Sequence, residues 1–314
     1  MFSREIEGHS LWAWTAAAAA APIAQFLGSA PWYWILAVGL AAGGVWLAVQ
    51  HVATGPLPKA LAAAEWIFLI YAAAVAAGWS GACWPAVRSG WVIPVVLLVL
   101  SACAAEGGCR SGARCGAVLF WFLAGLFVIL VGFALPDVRG QQLLQPQHGH
   151  LEWITPALLV PAAGALLPRR QGRSPWLWAV GLALCATAVS AVTAGVLSPA
   201  QAGQTPGAFY EMVRGLRILG VTERFEAVVA GAMTIGWFCL MSLLLTAAGH
   251  MAETLHPGWG RPAVWLAALL AGLASPWAGL VPPAVFGAGA IILWCLIPLL
   301  VGKKQTAAAD WNTP

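Results

Sequence analysis

Apolar residues run through this chain in long blocks with only short polar punctuation between them. Ten blocks can be drawn, at 11–27, 31–50, 63–84, 91–105, 116–135, 151–167, 175–198, 225–248, 262–281 and 283–301. Segments this long and this apolar read as membrane spans. Inside lipid every backbone polar group must be satisfied within the protein, so each block is expected to be a helix and not a strand. The ninth and tenth are parted only by Pro282 and Pro283. The expected fold is therefore an all-α integral membrane protein of about ten transmembrane helices, forming a single domain over residues 1–314.

Composition agrees. Hydrophobic residues make up 61% of the chain and charged ones 8%, with a mean hydropathy of +0.82. A water-soluble domain is roughly a quarter charged, so a soluble enzyme is excluded. The small net charge of +4 does not describe a nucleic-acid surface. What the basic residues do set is orientation. With the N-terminus inside, ten of the fifteen fall in inner loops, the Arg169, Arg170, Arg173 cluster among them. Both termini are thus expected in the cytoplasm, with the first block retained as a span and not cleaved as a leader. Tryptophans such as Trp12, Trp32, Trp91 and Trp178 fall near the predicted helix ends, where an amphipathic ring favours the headgroup layer.

Ten spans with both ends inside suggest five plus five, two inverted repeats at roughly 11–135 and 151–301. In such folds a binding site is marked by a broken helix at the same place in each half. The first block carries six alanines and then Pro22, and the sixth carries Thr155-Pro156, Pro161 and Gly164. Both blocks are short, about 26 Å as helices. Proline removes a backbone donor and crowds the preceding turn, so segments one and six are expected to be interrupted and adjacent. Proline is also common in membrane helices as a simple kink.

Residues 210–240 read YEMVRGLRILGVTERFEAVVAGAMTIGWFCL. An amphipathic arm, then Glu223-Arg224-Phe225-Glu226, then an apolar helix holding Trp237, resembles the spore germination permease family, the B subunits of endospore germinant receptors. A second patch is similar: Glu106, then Arg114 opening the helix 116–135, then Pro136-Asp137 and Gln141-Gln142-Leu143-Leu144. The resemblance implies the inverted-repeat fold of amino acid/polyamine/organocation transporters. It implies two partners, a larger membrane-anchored subunit and a small lipoprotein, and residence in the bacterial cytoplasmic membrane or the spore inner membrane. The chain departs from the family in carrying alanines where relatives have a glycine-bearing unwound segment.

In that architecture the ligand lies near the midplane between the first, third, sixth and eighth helices. The matching positions are Thr15, Ala20, Ala21, Pro22 and Gln25; Tyr71; Thr155, Pro156 and Gly164; and Met233, Thr234 and Trp237. Freed amides at a broken helix suit a carboxylate and freed carbonyls an ammonium, so the expected ligand is an amino-acid-sized zwitterion with an apolar side chain. Taken singly, each of these positions is as readily a packing residue.

Other candidates are weaker. Glu223 and Glu226 share a helix face that Arg224 does not, as an interfacial charge pair or as a gating element. Glu65 is expected to open the third span and snorkel to the interface. Gly107, Gly108 and Gly112 lack the lysine and strand of a phosphate loop. His148 with His150, and His250 and His256 around Glu253, are read as solvated loop residues. The seven cysteines lack zinc spacing and read as small apolar filler. No metal or cofactor is expected.

The leading expectation is a membrane subunit of a nutrient-germinant receptor that binds a small ligand such as an amino acid. The alternatives are a secondary amino-acid transporter and a structural subunit with no ligand.

Overall fold

The computed structural model describes residues 8–29, 31–37, 39–40, 59–81, 91–143, 174–204, 207–216, 225–280 and 283–297. Among these the chain is helical throughout. The elements are α1 (Gly8–Phe26), α2 (Lys59–Ser80), α3 (Val92–Glu106), α4 (Gly108–Ala134), α5 (Gly140–Leu143), α6 (Ser174–Leu197), α7 (Pro199–Gln204), α8 (Ala208–Gly215), α9 (Phe225–Leu255), α10 (Gly260–Ala274) and α11 (Pro283–Ile291). Short 3-10 turns close α1, α4 and α10, and a π-helical turn, Ile292–Leu296, extends α11.

Among the described residues, four segments are long and apolar enough to cross a membrane: Lys59–Ser80, Gly108–Asp137, Leu177–Leu197 and Ala227–Leu255. Outward faces make the solvent plain. On α4, Trp121 is 73% and Val128 68% exposed, with Val118, Phe122, Ile129 and Phe133 on the same helix. Val95, Val96 and Val99 of α3 and Leu266, Leu269 and Leu273 of α10 are exposed in the same way. Contiguous apolar surface on this scale does not stand in water. The protein is an all-α membrane protein. A nitroxide at Val128 is therefore expected to relax faster with lipid-dissolved oxygen than with an aqueous paramagnetic complex, and the reverse order would place α4's outer face in water.

α9 is the hub. It packs against α1, α2, α3, α8 and α10. At 31 residues it is about 46 Å long, longer than the roughly 30 Å hydrocarbon core it would cross. It runs to Leu255, seven residues past the block expected from the sequence, so His250 and Glu253 lie in a helix and not in a loop. Glu253 then caps the start of α10. Its carboxylate accepts from the amides of Gly258 at 2.9 Å and Gly260 at 2.8 Å. Gly258, at φ +90°, supplies the left-handed residue that the reversal into α10 requires.

Small residues let the helix axes approach, as is usual in membranes. Alanines 17, 18, 19 and 21 of α1 are buried completely or nearly so. A Cβ added to Gly236 of α9 would come within 2.8 Å of Ala21. On the other side of α1, the indole of buried Trp14 lies across Gly112 and Gly116 of α4; a Cβ at Gly112 would sit 2.5 Å from Trp14 Cη2. These glycines form a seat for an aromatic ring. Several buried hydroxyls are satisfied within their own helices, Thr193 donating to Val189 O at 2.7 Å and Thr246 to Ser242 O at 2.6 Å, whereas Ser101 of α3 donates to Phe238 O of α9 at 3.3 Å.

α1 is a continuous helix from Gly8 to Phe26 with Pro22 inside it, not a segment interrupted at the alanine run. Alanine is the best helix former, and one proline removes a single backbone donor, a loss that neighbours in a bundle can make good. The sixth block, 151–167, with Thr155, Pro156 and Gly164, lies outside the described residues, as does most of the second.

Candidate functional site

Three helices meet around one side-chain amide. Gln25 lies in the last turn of α1, and Ala18, Ala21 and Pro22 share its face by helical spacing. The Gln25 Nε2 donates to the backbone carbonyl of Trp79, at the end of α2, at 3.4 Å. Its Oε1 accepts from the indole Nε1 of Trp237, in the middle of α9, at 3.2 Å. An indole nitrogen only donates, which fixes the orientation of the amide. The rings enclose it: Trp79 and Trp237 have centroids 6.5 Å apart, and Phe26 lies 4.8 Å from Trp79. Trp237 is fully buried.

The local sequence explains the placement. Gly236 lets α1 approach α9 at Ala21, and that approach brings Gln25 within reach of the next residue, Trp237. Pro22 cannot donate to the carbonyl of Ala18, one turn earlier on the Gln25 face. The junction therefore offers an amide, an indole N–H and aromatic walls, with a backbone carbonyl nearby.

The structure brings Ala21, Gln25 and Trp237 together. Pro22 and Met233 are buried close by along the same helices, and Ala20 is half-buried. Thr15 and Thr234 turn their hydroxyls back on their own helices, donating to Leu11 O at 2.9 Å and Ala230 O at 2.8 Å. Tyr71 is engaged elsewhere. Its hydroxyl donates to Ala278 O at 2.9 Å in the 3-10 turn after α10, and its ring lies 5.6 Å from Phe286.

No protein-family model and no curated protein matches the chain.

Of the charged motif, Arg114 is exposed in the second turn of α4. Glu226 lies in the first turn of α9, where only its backbone position is described, and Glu223 and Arg224 lie outside the described residues. The arm before them is present as α8, with Ala208, Phe209, Met212 and Val213 buried on one side. An exposed Glu211–Arg214 pair at 3.6 Å stands on the other. Among the described residues no three His, Cys, Asp or Glu side chains gather where a metal could be held. Cys103, Cys109, Cys115, Cys185 and Cys239 are free thiols.

Two junction residues, Phe26 and Trp79, are not legible as site residues. Nothing in the sequence sets Trp79 apart from the other tryptophans, and what marks it out is its partner on another helix.

Proposed function

We propose that the chain is a ligand-binding membrane subunit of the germinant-receptor type, which holds an amino-acid-sized molecule where α1, α2 and α9 meet. The observation that carries this reading is the Gln25 amide, held between the Trp79 carbonyl and the Trp237 indole inside an apolar bundle. Gln25 is half-buried, a polar group withdrawn from water is costly unless it is satisfied, and this one forms the link between three helices. A ligand that exchanges hydrogen bonds with it can therefore change how the helices sit. Phe26, Trp79 and Trp237 would face an apolar side chain, and the Ala18 carbonyl would suit an ammonium.

The amphipathic α8 entering the Trp237 helix, and the Pro136-Asp137 exit from α4, support the germination-permease reading. On that reading occupancy shifts the population between conformers, and a larger membrane-anchored subunit and a lipoprotein receive the signal in the spore inner membrane. No covalent chemistry is proposed.

Flux separates receptor from carrier. Purified protein in liposomes is expected to bind labelled amino acid saturably without passing it down a gradient. Uptake that follows the gradient would make the chain a secondary transporter, and the absence of both would leave a structural subunit.

A further inference from the structure

One donor at the end of the last described helix is left unanswered by its surroundings. Trp294 lies in the π-helical turn Ile292–Leu296 that extends α11, and it is 4% exposed. Its indole Nε1 is buried without a hydrogen-bond partner, and an indole nitrogen can only donate. Trp66 Nε1 and Gln142 Oε1 are alike in this, but those two residues are only half-buried, so among the described residues Trp294 is the one withdrawn as a whole. Its neighbours are rings. Phe68 of α2 lies 5.4 Å from Trp294 between centroids and stacks on Phe286 of α11 at 4.7 Å and 16°. Neither phenyl ring carries an acceptor atom. Tyr71, 5.6 Å from Phe286, gives its hydroxyl to Ala278 O at 2.9 Å.

Depth narrows the chemistry that could answer this donor. α2 is long and apolar enough to cross the bilayer, and Phe68 lies roughly 14 Å from its Lys59 end and roughly 18 Å from its Ser80 end. That is mid-span, away from the headgroups and ester carbonyls that flank a hydrocarbon core about 30 Å thick. A buried N–H without a partner bears the full penalty of leaving water, and the hydrocarbon supplies no acceptor. The π-turn that carries Trp294 is a rare element, frequent at functional sites. An ionised carboxylate would be costly at this depth, whereas a neutral carbonyl is not, and flat aromatic walls favour a flat ring. We infer that Phe68, Phe286 and Trp294 form a binding site for a lipid-dissolved ring carbonyl of the quinone class. Its oxygen accepts from Trp294 Nε1, and its ring lies against the Phe68–Phe286 stack. The site is distinct from the Gln25 junction, which meets α2 at Trp79, about 16 Å further along that helix.

The test is magnetic resonance of the full chain in phosphatidylcholine nanodiscs, isotope-labelled at the indole nitrogens and titrated with decylubiquinone. The Trp294 N–H signal is identified by its loss in Trp294→Phe and by its displacement in Phe286→Leu, so the identification stands even where one variant fails to fold. In the wild type this signal is expected to move downfield with the quinone and to saturate. It is expected to stay in place with decylbenzene, which carries the same tail on a ring without a carbonyl. Trp294→Phe is expected to bind the quinone roughly tenfold more weakly, the loss of one net hydrogen bond. A signal unmoved by the quinone, or moved equally by decylbenzene, would overturn the assignment. So would a signal already at its hydrogen-bonded position before quinone is added, which would place a lipid or an acceptor of this chain on Trp294. Failure here would leave the Gln25 reading untouched.

Discussion

Gly116→Ala is expected to destabilise the protein by about 2 kcal/mol. Alanine in a helix interior ordinarily gains up to about 1 kcal/mol over glycine, so the sign depends on what the new methyl meets. At Gly116 it meets the Cβ, Cγ and Cδ1 of Trp14 well inside 3 Å. The Cβ among them is fixed by the α1 backbone, and no rotamer change carries it away. Either α1 backs off α4 or the indole leaves its seat, and overpacking of this kind costs roughly 1–3 kcal/mol and sometimes more. The clash therefore outweighs the propensity gain. Gly125→Ala and Gly132→Ala, where nothing lies within 4 Å, are expected to be neutral or slightly stabilising. Unfolding of the three variants in the same detergent gives the comparison, and a Gly116→Ala variant as stable as the other two would mean that Trp14 is not seated there.

Trp237→Ala is expected to cost about 3–5 kcal/mol, the range for emptying the place of a fully buried aromatic. The more informative change is at its partner. Gln25→Leu removes the acceptor of the Trp237 N–H and the donor to Trp79, a loss of roughly 1–3 kcal/mol where buried groups lose their partners. Trp237→Phe in the Gln25→Leu background is expected to recover part of that loss, since replacing both partners with apolar groups can be nearly neutral. A double-mutant cycle reads the coupling directly, and residues in contact give about 0.5–3 kcal/mol. Strict additivity would show that the amide and the indole do not act together. The same Gln25→Leu change is expected to lower ligand affinity at least tenfold, or about 1.4 kcal/mol.

Much of this architecture is legible from the sequence because lipid leaves few choices. Apolar blocks must become helices, and α1, α2, α3, α4, α6, α9, α10 and α11 all fall on predicted blocks, with their ends displaced by up to ten residues. What the pattern cannot give is rotation about a helix axis. Glu65 lies near the start of its span as expected, yet its angular position turns it onto the buried face of α2. Reading the alanine run beside Pro22 as a break overlooks the helix propensity of alanine itself. The run serves instead to let α1 lie close to α9 and α4. Polar residues after 248 suggest a loop, whereas Glu253 belongs to α9 and turns its charge to the amides at the start of α10. Gln25 and Trp237 are both legible as candidates on their own spans. That they touch each other, with Trp79 beside them, is a tertiary fact without a one-dimensional signature.

The most direct test of the central claim is a thermal-shift titration of the purified protein with each of the twenty amino acids, run on the wild type and on Gln25→Leu. A ligand that binds only the folded bundle raises the melting temperature as its concentration passes its dissociation constant. The account predicts such a rise for at least one apolar amino acid in the wild type and its loss in Gln25→Leu. No rise with any of the twenty, or an equal rise in both proteins, would contradict it.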